Sequence, residues 1–540
     1  MLNGKRLAVV FGTMLLVFSI ILCNLFMLSS NSDYARRVQA QTQYVLPLES
    51  GRANIYDCNL KPLTGAVNDY YVLALPGEQD YSLLFDLAAE EERGRLLKQS
   101  GQPQPFLVKL KGKADTENLR CVYGIPRRYF TSPIAAHTVG YLNSDGDGVT
   151  GIERQFNDYL KNGADQTFVN CRTNALVALI NGFEPYVTAK QGTGYGVMLT
   201  IDSTIQRICE GIAAENMRSG AIVVMETATG KIKASVSVPV FDPYNIEKSI
   251  TAGDSSLVNR AESAFNVGSV FKPLLAAAAL SAGIDPNEEY ECRGYTEVDG
   301  HIYRCANLAG HGKVNMEKAL EESCNCYFIN LGRALGADAV YDTAVMAGFG
   351  MPCALGGGYT SGGGVFPSRK TLENSGELAC VSFGQGQLLA SPVQIAAYFN
   401  IFANDGVYIS PSLVQGLVSE YTGKVVQSFY SPSQTRILQS ADNEILKEML
   451  VNVIRKGRAQ QAQPMHWNAG GKTGTAQTGR FYTDDETGEQ KEIYEIWFAG
   501  FYPADEPKYT IVVMKDESVS YTENCCKIFA DICDSLYYYL

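Results

Sequence analysis

The stretch from Phe265 to Leu280 restricts this chain more than any other. Its Ala/Leu run is a strong helix former. Pro273 fits only a first helical turn, where a missing N–H costs little. The helix is therefore expected to start close to Ser269. That places the Ser269 hydroxyl at the positive end of the helix, with Lys272 one turn along on the same face. A serine becomes a nucleophile beside a base, and a desolvated lysine can be that base. Ordinary exposed helices also begin with Ser-x-x-Lys, so the rest of the chain decides its weight.

The 540 residues exceed one ordinary domain. A net charge of −12 argues against nucleic acid, or an anionic membrane surface, as a bound partner. Lys5 and Arg6 precede an uncharged apolar run from Leu7 to Leu28. At ~1.5 Å per residue it is long enough to cross a bilayer. It exceeds the apolar segment of a cleaved signal peptide and lacks the polar face of a soluble helix, so a retained anchor is expected. Residues 1–6 then form a cytoplasmic tail and 7–28 the anchor, with the remainder outside, although Arg36 and Arg37 oppose that charge bias. Fourteen cysteines are many for a chain exported to an oxidising space, and no Cys-x-x-Cys pair occurs.

Residues 29–193 read as a mixed non-catalytic region, with helical spacing from Tyr81 to Gln99 and a Gly-rich loop between His137 and Glu153. Asp145 and Asp147 in that loop suit a turn, because the twelve-residue calcium loop with its final Glu is missing. A second unit, 194–540, opens with a strand from Val197 to Ile201 and a helix capped by Asp202 or Ser203. The strands Ala221–Met225 and Lys231–Val238 make a hairpin around Thr227–Gly230. Strands, helices and strands again suggest an α+β or sheet-with-helical-insert domain.

Two clusters follow the serine: Ser323-Cys324-Asn325, and Lys472-Thr473-Gly474-Thr475 flanked by Gly470 and Gly471. In that order the three are specific as a set. They resemble the penicillin-binding, serine active-site transpeptidases. So do Asn259-Arg260, Ser382 to Gly386 with Pro392 and Gln394, Ala403 to Gly406 and Trp497 to Pro503. Gly51-Arg52, Asn54 to Asp57 and Gly151 to Glu153 resemble the non-catalytic pedestal of the class B subgroup, with Cys58 where a basic residue is usual.

The resemblance implies a penicillin-binding/serine β-lactamase-like domain on a pedestal or dimerisation domain, and acyl transfer that needs no cofactor. Ser269 would attack the carbonyl of a D-Ala-D-Ala stem peptide, and Lys272 would take its proton. Ser323 would pass that proton to the leaving amine, while Asn325 orients Lys272. Lys472, Thr473 and Thr475 would hold the terminal carboxylate, with Gly474 letting backbone approach substrate. N–H groups of Ser269 and Thr475 would form the oxyanion hole, and penicillins would trap Ser269. The family also implies a membrane-embedded glycan polymerase as partner. A D,D-carboxypeptidase or β-lactamase would use the same residues, and a non-catalytic scaffold of a wall-synthesis complex is the reading from another class.

Some elongation-type relatives hold zinc in the segment between the Ser-x-x-Lys helix and Ser-x-Asn. Here Cys292, Cys305, His311 and Cys324 fall where those ligands lie, with His301 a weaker substitute. Three thiolates and an imidazole suit a closed, tetrahedral, structural site. A Cys292–Cys305 disulfide is the alternative that export would favour.

Overall fold

A computed structural model describes the chain except residues 1–3, 31–41, 49–50, 66, 75–80, 115–121, 175, 177–178, 181, 484–487, 521–523 and 540. Arg36 and Arg37 lie outside the described residues. Helix α1 (Gly4–Ser30) is 27 residues long with no buried residue. It alone among the described helices is long and apolar enough to cross a membrane.

The chain forms two compact units. The first comprises residues 1–52, 67–128 and 164–193. It holds two three-stranded antiparallel sheets. In one, Val67–Ala74 lies between Phe106–Leu110 and Val122–Arg127; in the other, Gln166–Arg172 lies between Gln43–Pro47 and Tyr186–Lys190. The expected helical stretch appears as two short helices, Tyr81–Leu87 and Glu90–Gln99, whose Leu84 and Leu96 enter the core with Val72, Phe106 and Val108.

The second unit comprises 53–66, 129–163 and 194–540. Its edges differ from a single division at 193. Ile55 pairs in parallel with Val197, and Ala53 N–H donates to Leu160 O at 2.9 Å. Ile152, Phe156 and Leu160 enter the same core as Val197. Pairing between strands some 140 residues apart leaves no local sequence signal, so 53–66 and 129–163 read as part of the N-terminal region. Asp145 and Asp147 do sit in a turn, their N–H groups donating to Asn143 Oδ1 at 3.0 and 2.9 Å.

The centre of this unit is a five-stranded sheet flanked by helices. Helix α2 (Ser203–Asn216) starts at Asp202, whose carboxylate accepts from Thr204 and Ile205 N–H. Strands β1 (Gly220–Glu226) and β2 (Ile232–Val238) follow as a hairpin. β1 is an almost unbroken apolar run that is buried on both faces. Helices α3 (Lys272–Ser281), α4 (Met316–Glu321), α5 (Asn325–Met346, broken at Gly336), α6 (Pro392–Ala403) and α7 (Ser440–Arg455) come next. β3 (Gly470–Thr483), β4 (Gln490–Tyr502) and β5 (Tyr509–Ser518) then complete the sheet in the order β2-β1-β5-β4-β3. Helix α8 (Cys526–Leu536) packs on α2, β4 and β5. Every residue of α6 is buried, and a Ser391/Gln394 capping box fixes its start.

Candidate active site

Ser269 sits in a short 3₁₀ turn, Gly268–Phe271, and the α-helix begins only at Lys272. The turn is set by Gly268, whose φ is +63°. A Cβ there would lie 2.9 Å from Thr475 O, and its N–H donates to Gly384 O at 2.9 Å. Only glycine allows this backbone to lie so close to β3. Gly474 serves the same approach from the other side, where a Cβ would meet Val270 at 3.0 Å. Ser269 is thus pressed between β3 and the Gly384 loop, half-buried among buried neighbours.

Lys272 is closed to solvent. Its Nζ donates to Ser323 O at 2.7 Å, Ser323 Oγ at 3.2 Å and Asn325 Oδ1 at 2.7 Å. Burial lowers its pKa to about 8, helped by the charge of Arg458 and opposed by the thiols of Cys324, Cys305 and Cys326. Ser323 holds a left-handed φ of +54°, so Ser323 leaves α4 in a tight turn and Asn325 opens α5. A non-glycine residue in that conformation costs about 1–3 kcal/mol and is often found at working sites. Asn325 Nδ2 donates to Arg304 O at 3.3 Å, which leaves its Oδ1 aimed at Lys272.

Lys472, on β3, is also fully buried. Among the described residues its Nζ hydrogen-bonds only to Thr473, at 3.2 Å to the carbonyl and 3.5 Å to the hydroxyl. Burial first, then the charges of Lys272 and Arg458, hold its pKa well below the usual lysine range. Thr475 is exposed and Thr473 partly so. The three sequence clusters therefore meet: Lys272 bonds both side chains of Ser-x-Asn, Lys472 feels its charge, and the Ser269 turn lies against Thr475.

Behind Ser323 the four cysteine and histidine candidates converge, with their ligand atoms within 4.8 Å of one another. Cys292 and Cys305 Sγ lie 3.6 and 3.5 Å from His311 Nδ1, and Cys305 Sγ lies 3.9 Å from Cys324 Sγ. With Zn–S near 2.3 Å, tetrahedral geometry places ligand sulfurs about 3.8 Å apart, so the set fits that ion. Cys292 and Cys305 are free thiols, and His311 Nε2 is buried without a hydrogen-bond partner. His301 is exposed and is not one of the four.

Two residues escaped the sequence reading. Cys326 acts with Cys324 on the Cys305 thiol, which Cys324 first and then Cys326 hold below its ordinary range. Its spacing, two residues after Cys324, was the available signal. Arg458, in the turn after α7, acts on both lysines and lies in no motif.

Comparison with known proteins gives the chain's family. The chain spans about three fifths of the first curated relatives it matches: it is 28% identical over 405 residues to Stage V sporulation protein D of Bacillus subtilis, covering 72% of this chain and 60% of that one. With Peptidoglycan D,D-transpeptidase MrdA of Salmonella typhimurium it shares 25% identity over 99% of this chain and 96% of the other. Penicillin binding protein 3 of Mycobacterium tuberculosis, solved with aztreonam, has the same fold, with a TM-score of 0.66 and 22% identity over 92% of this chain and 97% of that one. The family model of the penicillin binding protein transpeptidase domain matches residues 220–532, from β1 into α8 and through all three clusters, and the chain belongs to that family.

Proposed function

We propose that the chain is a class B D,D-transpeptidase that cross-links peptidoglycan stem peptides through an acyl-enzyme on Ser269. The observation that carries this reading is the buried Lys272 ammonium held by Ser323 and Asn325 beside the Ser269 turn. The name of one similar protein, Peptidoglycan D,D-transpeptidase MrdA, points the same way. With a pKa of about 8, about a tenth of Lys272 is the free amine at pH 7.

That amine takes the Ser269 proton as Oγ bonds to the carbonyl carbon of the penultimate D-Ala. The Ser269 and Thr475 N–H groups receive the oxyanion. The C–N bond then breaks, and Ser323 relays the proton to the departing D-Ala amine. An amine of a second stem peptide attacks the ester, gives up its proton through the same groups and restores Ser269. Thr473 and Thr475 hydroxyls bind the terminal carboxylate, backed by the Lys472 charge. Residues 7–28 anchor the chain with its enzymatic unit outside the cell membrane, the region from 29 to 193 contributes the pedestal, and a membrane-embedded glycan polymerase is the expected partner.

A fluorescent penicillin should label the detergent-solubilised chain once, at Ser269. An adduct on another residue, or undiminished labelling of Ser269→Ala, would sink the assignment. With a stem-peptide thioester and a D-amino acid, product should partition to the amine adduct; hydrolysis alone would favour the carboxypeptidase or lactamase reading.

The Cys292, Cys305, His311 and Cys324 set holds one structural zinc that braces the turn presenting Ser323 and Asn325. The ion takes no part in the chemistry. Elemental analysis of chain purified without chelator should give about one zinc per chain. Metal-free chain with Cys292 and Cys305 joined in a disulfide would end this reading.

A further inference from the structure

Three cations lie within electrostatic reach of one another, Lys272, Lys472 and one more, and the acyl-transfer scheme uses only the two lysines. The third is Arg458. Gly457 before it packs so closely that a Cβ would lie 2.9 Å from Glu321 O. Arg458 N–H donates to that same carbonyl at 3.2 Å. The end of α7 is thereby pinned to the last turn of α4, immediately before the Glu322–Ser323 turn. From there the guanidinium pairs through Nε with Glu322 Oε2 at 3.3 Å. Glu322 is itself shared, because Lys318 Nζ lies 3.1 Å from its other oxygen.

Among the described residues Glu322 is the only side chain that pairs with Arg458, and 46% of the arginine side chain stays exposed. An arginine carries five N–H donors in a planar fork, and Glu322 engages only the Nε side of this one. Lys272 and Lys472 are each shut from water, and burial disfavours the ammonium of both, with the Arg458 charge adding to the effect. Glu321 and Glu322 are taken up by Lys318 and Arg458, and among the described residues no carboxylate pairs with Lys272 or Lys472, so this group of cations is short of negative charge. An entering anion would relieve it, and a carboxylate matches the fork in a bidentate way.

We propose that Arg458 is a substrate-binding residue that exchanges Glu322 for the terminal carboxylate of the donor peptide, closing the carboxylate subsite opposite Thr473 and Thr475. This rests on the acyl-transfer reading above. Glu322 keeps the guanidinium positioned while the site is empty and retains Lys318 once Arg458 has left. The same subsite takes the carboxylate of a penicillin.

The test compares acylation rates of the full chain in detergent by a penicillin with a free carboxylate and by its neutral methyl ester. Measured at a pH above the Lys272 midpoint, so that any change in the base is not read, the free-acid rate of R458Q should fall about ten- to a hundredfold, while the ester rate changes little. R458K should recover part of the preference. E322Q, which breaks the pair but keeps the guanidinium, should retain the preference for the free acid. Equal slowing of both probes in R458Q, or the same lost preference in E322Q, would make Arg458 only a brace for the Ser323 turn and overturn the subsite. A parent chain that neither probe acylates would instead overturn the acyl-transfer reading, and the subsite with it.

Discussion

Arg260 Nε donates to Asp516 Oδ2 at 2.8 Å, with side chains only 2% and 6% exposed. The pair ties the segment that leads into the Ser269 turn to β5, in the middle of the sheet. Arg260 also donates through Nη1 to Ser255 O at 2.9 Å, and its own N–H donates to Ser237 Oγ on β2.

Removing one partner of this pair should be costly, because the other is left buried and charged. Arg260→Leu or Asp516→Leu is expected to lose about 3–5 kcal/mol of stability. The double variant should lose much less than the sum. Urea unfolding of the four chains reads the coupling; strict additivity would show that the two charges act independently.

Two buried groups oppose each other in acid. Glu262, held by Tyr359 Oη at 2.8 Å and its Oε1 shut from water, has its pKa raised from 4.5 to about 7, chiefly by burial. His137, against Ser256 O and Phe241, is lowered from 6.5 to about 4, again chiefly by burial. The folded chain therefore keeps a proton on Glu262 that the unfolded chain has lost, and stability from this group falls as pH rises from 4.5 to 7. His137 does the reverse, and its contribution is lost as pH falls from 6.5 to 4. Each shift is worth about 3 kcal/mol, so the two largely offset each other. Relative to the parent, Glu262→Gln should gain stability as pH rises through this window, and His137→Leu should lose it. Parallel stability curves for all three chains would refute both assignments.

Gly268→Ala tests the close approach beside Ser269, the proposed nucleophile. The new Cβ must move Thr475 O, 2.9 Å away, or unwind the +63° turn. Strain of about 1–3 kcal/mol is expected. The acylation rate should fall about a hundredfold, as for a displacement of about 1 Å in a reacting group. A normal rate in a folded variant would mean that Ser269 does not depend on this turn.

Acylation should rise with pH around a midpoint near 8, the pKa of Lys272. Arg458 lowers that pKa, so its loss in R458Q should move the midpoint upward. A midpoint that stays in place would separate Arg458 from the base.

The site was more legible than the boundaries of the fold. Ser269, Lys272, Ser323, Asn325 and Lys472 lie in short patterns whose spacing is local, and the structure gathers them. Cys292, Cys305, His311 and Cys324 are spread over a longer segment, yet hairpin pairing such as Cys292 with Gly312 draws them together. Where long-range pairing decided the outcome, local patterns were silent: Ile55 beside Val197, or Arg458 beside Glu322. The α3 start also shifted, because a left-handed Gly268 favoured a tight 3₁₀ turn at Ser269 over an α-helical one.

The order β2-β1-β5-β4-β3 has a consequence for how the chain is made. Of the five strands, the last to be synthesised is the one at the centre. Until Tyr509–Ser518 emerges, the β1–β2 and β3–β4 hairpins have no common neighbour, and each waits with an unpaired inner edge. Closure then joins Val223 to Val512 and Ala499 to Val512 in one step, across nearly 300 residues on one side and a short hairpin on the other. Such a step is slow. The waiting edges are exposed to pairing with other chains, so a shortened chain that ends before β5 should accumulate as aggregate rather than as a smaller folded enzyme.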